Sequence, residues 1–396
     1  MRNHPANHMN IRNTFLPFHQ PLIEDEEINA VISTLKSGWL STGPKVHEFE
    51  KAMSEYLNVP HCIALNSGTA ALHLSLKAIG LQENDEVIIP TNTFTATGEV
   101  VTYFKAKPVL IDCKKNDFNI DENIIESKIT DKTKAIMPVH FAGNPCEMKV
   151  IKEICAKYNL KLIEDAAHAL STQYQGELIG QLGDITCFSF YATKNITTGE
   201  GGMAVTSNPV YAEKIRLLSL HGINSDAWNR YGEKGSWFYE VTHAGFKYNM
   251  SDILAAIGTV QMTKAESMLQ KRTAIAEIYS NELSAIPSIT LPKSNIGNKH
   301  SWHLYVIQIK PDQLKINRKE FIDKLKEYNI GTSVHFIPLH RHPYYKNKFG
   351  YSLNEFPNSE NIYNNSISLP IYPKMTETDV NYVIEAVKNI ASTNKK

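Results

Sequence analysis

Between residues 61 and 190 the chain repeats one pattern: a short, continuously apolar run, then a helix-like stretch, then another apolar run. The apolar runs are residues 61–65, 86–90, 109–113, 135–140, 160–163 and 185–190. Helical spacing fills 69–79, 95–104 and Met148–Tyr158 between them. Strands that are apolar at every position must be covered on both faces, so the pattern predicts an α/β fold with a mostly parallel sheet sandwiched by helices. In such sheets the functional groups collect at the carboxyl ends of the strands, which makes the residues following each run the ones to read.

The flanks complete the plan. Residues 24–35 have helical spacing with Ile28, Val31, Ile32 and Leu35 on one side, and 46–57 are again amphipathic. A long helical region over 251–284 reads as interrupted near 267–269. The stretch 287–300, with its prolines, asparagines and glycine, then reads as a connection into a smaller α+β part. That part has strands at 304–309 and 334–337, a helix at 318–328 and a closing helix at 376–390 capped by Thr376. The division expected is a flexible tail (1–13), a large domain (14–285) and a small C-terminal domain (286–396), since 396 residues exceed one comfortable core.

Composition excludes more than it selects. Lys+Arg and Asp+Glu are both 41, a formal net charge of zero, which weighs against a general nucleic-acid or membrane-surface binder. The five cysteines have no metal-binding spacing and read as reduced thiols. No apolar run approaches the roughly 18 residues of a membrane span. The first 13 residues lack an apolar signal core, so a cytoplasmic protein is expected.

The first apolar run ends in Asn66-Ser67-Gly68-Thr69-Ala70-Ala71, a small-residue turn opening a helix. Its free N–H groups and positive dipole end suit a phosphate, and an ordinary N-cap at Ser67 or Thr69 fits as well. After the next run, Phe94 could stack on a flat heterocycle or serve the core. After 160–163 comes Glu164-Asp165-Ala166-Ala167-His168. An acid there needs a cationic partner, with His168 to orient it, or else caps a helix. The last run leads through Phe188-Ser189-Phe190-Tyr191 to Lys194, in a polar turn ending Gly199-Glu200-Gly201-Gly202. An amine fixed there and desolvated loses its proton easily and attacks carbonyls, whereas an arbitrary turn lysine is merely solvated. Together, a phosphate turn at Gly68-Thr69-Ala70, an aromatic at Phe94, an acid at Asp165, Ser189 and Lys194 are what pyridoxal 5′-phosphate (PLP) requires: donors for its phosphate, a face for its ring, an anion for its pyridinium and an amine for its aldehyde.

With these motifs the sequence resembles the sugar aminotransferases of the DegT/DnrJ/StrS group, within the fold-type I PLP enzymes, from about Leu16 to Val387. Further matching segments are Ser37-Gly38-Trp39-Leu40-Ser41-Thr42-Gly43-Pro44, Gly245-Phe246-Lys247-Tyr248-Asn249-Met250 and Val334-His335-Phe336-Ile337-Pro338-Leu339-His340. The resemblance implies that Lys194 forms the Schiff base with PLP and shuttles the proton. Asp165 would hold the ring nitrogen protonated, His168 would support it and Phe94 would stack on the ring. The phosphate would be bound by Gly68, Thr69, Ala70 and Ser189, together with Asn249 reaching across from the neighbouring subunit of a homodimer. Trp39, Tyr191, Lys247, His335 and Arg230 are the candidates for holding substrate. Lys194 separates the chain from the branch that carries histidine there and performs dehydration. The segment 221–228, with 245–250, looks closest to enzymes that aminate carbon 4 of a nucleotide-linked keto-sugar, such as the UDP-4-amino-4-deoxy-L-arabinose aminotransferase type. The resemblance thus implies transfer of an amino group from L-glutamate to a nucleotide-linked keto-sugar through pyridoxamine phosphate (PMP). Amination at carbon 3, or of a cyclitol, and a catalytically silent PLP- or sugar-binding regulator are the alternatives.

Overall fold

The computed structural model describes residues 10–115, 117–224 and 238–396. Arg230, the 225–228 half of the substrate-loop match and most of the 1–13 tail lie outside the described residues.

Helix α1 (Asp25–Ser37) opens with a capping box between Glu24 and Glu27. Its apolar stripe faces outward: Ile28, Ile32 and Leu35 are 49, 41 and 51% exposed, while Glu27 and Thr34 are buried. The cause is polar. Gln261 donates to Glu27 at 2.8 Å and Lys264 pairs with it at 3.0 Å, which turns the other face toward solvent. Helix α2 (Pro44–Leu57) starts on proline, and its first turn is held by the Asp252 carboxylate, which accepts from the N–H groups of Gly43, Lys45 and Val46.

The sheet follows in the expected alternation: β1 (His61–Leu65), α3 (Gly68–Ala78), β2 (Glu86–Pro90), α4 (Thr95–Thr102), β3 (Lys107–Ile111), β4 (Thr133–Ile136), α5 (Met148–Tyr158) and β5 (Lys161–Asp165). A two-residue hairpin, β6 (Gln173–Tyr174) and β7 (Glu177–Leu178), precedes β8 (Ile185–Ser189) and β9 (Gly202–Thr206). The seven-stranded order is β1-β9-β8-β5-β4-β2-β3. Only β9 runs against the rest, pairing antiparallel with β1 and β8. One apolar cluster packs α2, α5 and the start of the long helix α7 (Asp252–Leu283) on one face. A second packs α3, α4 and α6 (Pro209–Ser219) on the other.

Helix α7 runs unbroken for 32 residues, about 48 Å, where an interruption near 267–269 was expected. Its first half packs against the large sheet. Its second half, through Ile275, Ala276, Tyr279 and Leu283, enters a third cluster around an antiparallel sheet of β10 (Ile289–Thr290), β11 (Tyr305–Ile309) and β12 (Ser366–Leu369). Helices α8 (Arg318–Glu327) and α11 (Glu377–Thr393) complete this end, the last with the Thr376 cap bonded to Asp379, whereas α9 (Pro343–Phe349) packs through Tyr345 on the α3 and α4 cluster and α10 (Pro357–Asn365) through Ile362 on a fourth, smaller one. Residues 334–337 form no strand; they cross the mouth of the site as irregular chain.

Candidate active site

All parallel strands deliver their carboxyl ends to one edge of the sheet, and a cavity of about 510 Å³ lies there. It is lined by Gly68 and Thr69 after β1, Thr93 and Phe94 after β2, Asp165 at the end of β5 with His168 beyond it, and Ser189 at the end of β8 with Tyr191 and Lys194 beyond it. His303 and His335 close it from the C-terminal side, and His19 from the N-terminal segment.

The phosphate-type turn has a steric basis. A Cβ on Gly68 would come within 2.9 Å of the Ser189 Cβ, and one on Gly202 within 2.3 Å of the Ser67 backbone. Glycine at both positions lets the start of α3 lie against the ends of β8 and β9. The Gly68 and Thr69 N–H groups, in the first turn, have no helical acceptor, and both residues line the cavity together with Ser189. Ser67 is the N-cap, accepting from Ala70 N–H at 3.1 Å; Ala70 is buried and does not line the cavity.

Lys194 sits in a loop closed on itself. Phe190 N–H donates to Gly201 and Lys194 N–H to Tyr191, both at 2.9 Å, and Thr198 N–H returns to Phe190 at 3.0 Å. No hydrogen bond or ion pair holds its amine among the described residues. Its low-polarity surroundings push the ammonium down to about 8, against the attraction of Asp165. Asp165 is 5% exposed, and burial raises its carboxyl above the usual range. Thr97 Oγ1 donates to one oxygen at 2.8 Å and Ala167 N–H to the other at 3.2 Å.

His168, expected to orient and support Asp165, shares no hydrogen bond with it. Its Nδ1 accepts from Ala142 N–H at 3.2 Å, and its ring lies 4.2 Å from that of His303. Burial, with Lys194 nearby, keeps His168 and His303 uncharged and pulls His335 down to about 4. Phe94 lines the cavity with 58% of its surface exposed, its ring 5.7 Å from that of Phe336. Trp39, Lys247 and Asn249 lie outside the cavity of their own chain, gathered on Thr42. Trp39 Nε1 donates to Thr42 O at 3.1 Å, Asn249 Nδ2 to Thr42 Oγ1 at 2.6 Å, and Lys247 Nζ to Asn249 Oδ1 at 2.5 Å. Sequence reasoning missed Thr93, Thr97, His19 and His303. The four-residue spacing of the two threonines was the only signal, and mid-helix threonines carry none by themselves.

A cradle that any Cβ would fill, a buried acid and an unpaired, desolvated amine in one cavity fit PLP, and on this fold they define a PLP-dependent transferase of fold type I. The chain belongs to the DegT/DnrJ/EryC1/StrS aminotransferase family, whose pattern matches residues 21–388. It is 48% identical to the spore coat polysaccharide biosynthesis protein SpsC of Bacillus subtilis over 380 residues, 96% of this chain and 98% of that one. Among solved structures it resembles the Streptococcus pneumoniae protein Spr1654 in its PMP form (TM-score 0.90, 34% identity, 96% of this chain and 99% of that one), which is also known in a PLP form. It likewise resembles Helicobacter pylori PseC, an aminotransferase involved in the biosynthesis of pseudoaminic acid (TM-score 0.88, 29% identity, 96% and 100%). The protein is a PLP-dependent sugar aminotransferase.

Proposed function

We propose that the enzyme transfers the amino group of L-glutamate to a nucleotide-linked keto-sugar, at carbon 4. The observation that carries the catalytic reading is Lys194: an amine without a hydrogen-bond or ion-pair partner among the described residues, held down to about 8, in one cavity with a buried acid. Bound PLP supplies an aldehyde that receives and passes on the amino group, and an electron sink that makes the adjacent C–H acidic. Lys194 Nζ would hold the cofactor's aldehyde and, when its amine is free, would take the proton from carbon and return it. Asp165 keeps a negative charge at the ring nitrogen. Gly68, Thr69 and Ser189 hold the phosphate, with Ala70, whose N–H is taken by Ser67, behind them; Phe94 covers the ring, and His168 borders it beside His303. Tyr191 and His335 meet the substrate.

Asn249, with Lys247 and Trp39, serves the site of a second copy. The outward stripe of Ile28, Ile32 and Leu35, with Leu40 at 44% exposed, supports a homodimer. Residues 14–285 and 286–396 act as cofactor-binding and smaller domains. The sugar reading is supported by likeness to SpsC and PseC, whose names tie them to polysaccharide and pseudoaminic acid synthesis. No helix of the described residues is long and apolar enough to cross a membrane, which is compatible with a cytoplasmic enzyme.

The test is a pair of half-reactions. L-glutamate should convert the PLP absorbance of the loaded protein to that of PMP, and one member of a panel of nucleotide 4-keto and 3-keto sugars should restore it. Restoration only by a 3-keto sugar or a free cyclitol would overturn the acceptor. No response to glutamate would overturn the donor.

A further inference from the structure

Two threonines one turn apart, Thr93 two residues before the start of α4 and Thr97 within it, are both wholly buried. Four buried or half-buried hydroxyls elsewhere in this chain's helices turn back on the carbonyl four residues earlier. Thr34 bonds to Ala30, Ser75 to Ala71, Thr259 to Ala255 and Ser280 to Ala276. Ser359 in α10 donates instead to a buried carboxylate, that of Asp112. Thr97 likewise gives its single proton to Asp165 Oδ2 at 2.8 Å. Its oxygen lies 2.7 Å from that of Thr93, and with its own proton committed it can only accept there. The direction of the chain is therefore fixed: Thr93 donates to Thr97, and Thr97 donates to Asp165.

The origin of this chain is itself clamped. Thr91, two residues before Thr93, shares a 2.7 Å hydrogen bond with His340 Nδ1, and His340 Nε2 meets Glu360 at 2.8 Å. Leu339 N–H donates to Thr91 O at 2.8 Å, tying the loop after β2 to the C-terminal part. Thr93 borders the cavity but Thr97 does not, so Thr97 acts only through the acid.

We infer that Thr93 and Thr97 form a two-hydroxyl relay that positions Asp165 and holds it ionised for the cofactor's ring nitrogen. The inference rests on the proposed role of Asp165. The relay answers a physical need, because burial alone drives a carboxyl toward its neutral form and the Thr97 bond is the chief opposing influence. The other groups facing Asp165 are Lys194 from the loop after β8, His140 from the loop after β4 and Cys187 on β8, with Glu164 and His168 on its own segment. Lys194 gives up its free charge once it holds the cofactor, and His140 is already bonded to Glu164 at 2.9 Å. The hydroxyl pair, like the Ala167 N–H on the other oxygen, is support that does not change during turnover.

The test uses PLP-loaded wild-type protein and the variants Thr97→Val, Thr97→Ser, Thr93→Val and Asp165→Asn. Two quantities are read: the pH midpoint of the bound cofactor's absorbance, and PLP affinity by dialysis. Thr97→Val, which keeps shape and removes the hydroxyl, should shift the midpoint in the same direction as Asp165→Asn and weaken PLP binding about tenfold. Thr97→Ser should restore both. Thr93→Val should give a smaller shift the same way, and it reads the relay on its own if Thr97→Val does not fold. An unchanged midpoint in both valine variants while Asp165→Asn shifts would overturn the relay and leave Asp165 in place. Thr97→Ser as impaired as Thr97→Val would reduce Thr97 to packing. An unchanged Asp165→Asn would overturn the reading of the acid, and the relay with it.

Discussion

The chemistry at the scale of single residues is set by desolvation. Lys194 is held down to about 8, so the reactive amine should appear through that pH and not above 10. The rate at which the unloaded protein takes up PLP should rise with a midpoint near pH 8 in stopped-flow absorbance. A rate still climbing above pH 10 would contradict this. The same shift has a sign for stability. A lysine whose folded value lies below its unfolded one destabilises the fold while protonated, fully below about pH 8, and the penalty fades as pH rises toward 10.5. Lys194→Met should therefore raise the Tm of the unloaded protein at pH 7, with a gain that shrinks toward pH 10, and should abolish turnover. An equal gain at both pH values would argue against the shift. The shared cavity of Lys194, Asp165 and Ser189 was legible in the sequence because each lies at or just beyond the end of an apolar run, where an α/β sheet places its chemistry. Thr97 and His303 were not. A threonine inside a helix has a default local bond, and no periodicity marks a histidine just before a strand whose ring ends up 4.2 Å from His168.

Among the elements, two glycines decide whether the phosphate turn can form. Gly202→Ala would place a methyl 2.3 Å from the Ser67 backbone, pushing α3 off β9. We expect a loss of about 3 kcal/mol in urea unfolding, together with weakened PLP binding. An unchanged denaturation midpoint would show that the contact relaxes freely. Strand β9 itself escaped the sequence reading, because Gly201-Gly202 looks like a turn until β1 and β8 are seen pairing on either side of it. The run 334–337 misled in the opposite sense. Its apolar residues suggest a strand, yet His335 and Phe336 line the cavity and leave the backbone irregular. The stripe on α1 was read correctly as a face but not as to which way it points, since spacing alone does not distinguish a core from an interface.

At the level of the whole molecule, the proposed role of Asn249 needs a second copy. Asn249 lies outside its own chain's cavity, held between Thr42 and Lys247. If it completes the partner's site, Lys194→Ala and Asn249→Ala chains should each be impaired alone, whereas a mixed dimer should regain activity because one of its two sites carries neither change. No recovery in the mixed dimer would place both residues in the same chain's site. The overall architecture was legible because strand–helix alternation leaves few topologies, whereas pairing between copies leaves no periodic trace in one chain. The central claim is that Lys194 is the residue that holds PLP, and borohydride reduction of the loaded protein followed by peptide mass mapping tests it most directly. The account predicts one phosphopyridoxyl group, on the peptide containing Lys194. A label on any other lysine, or none, would contradict it.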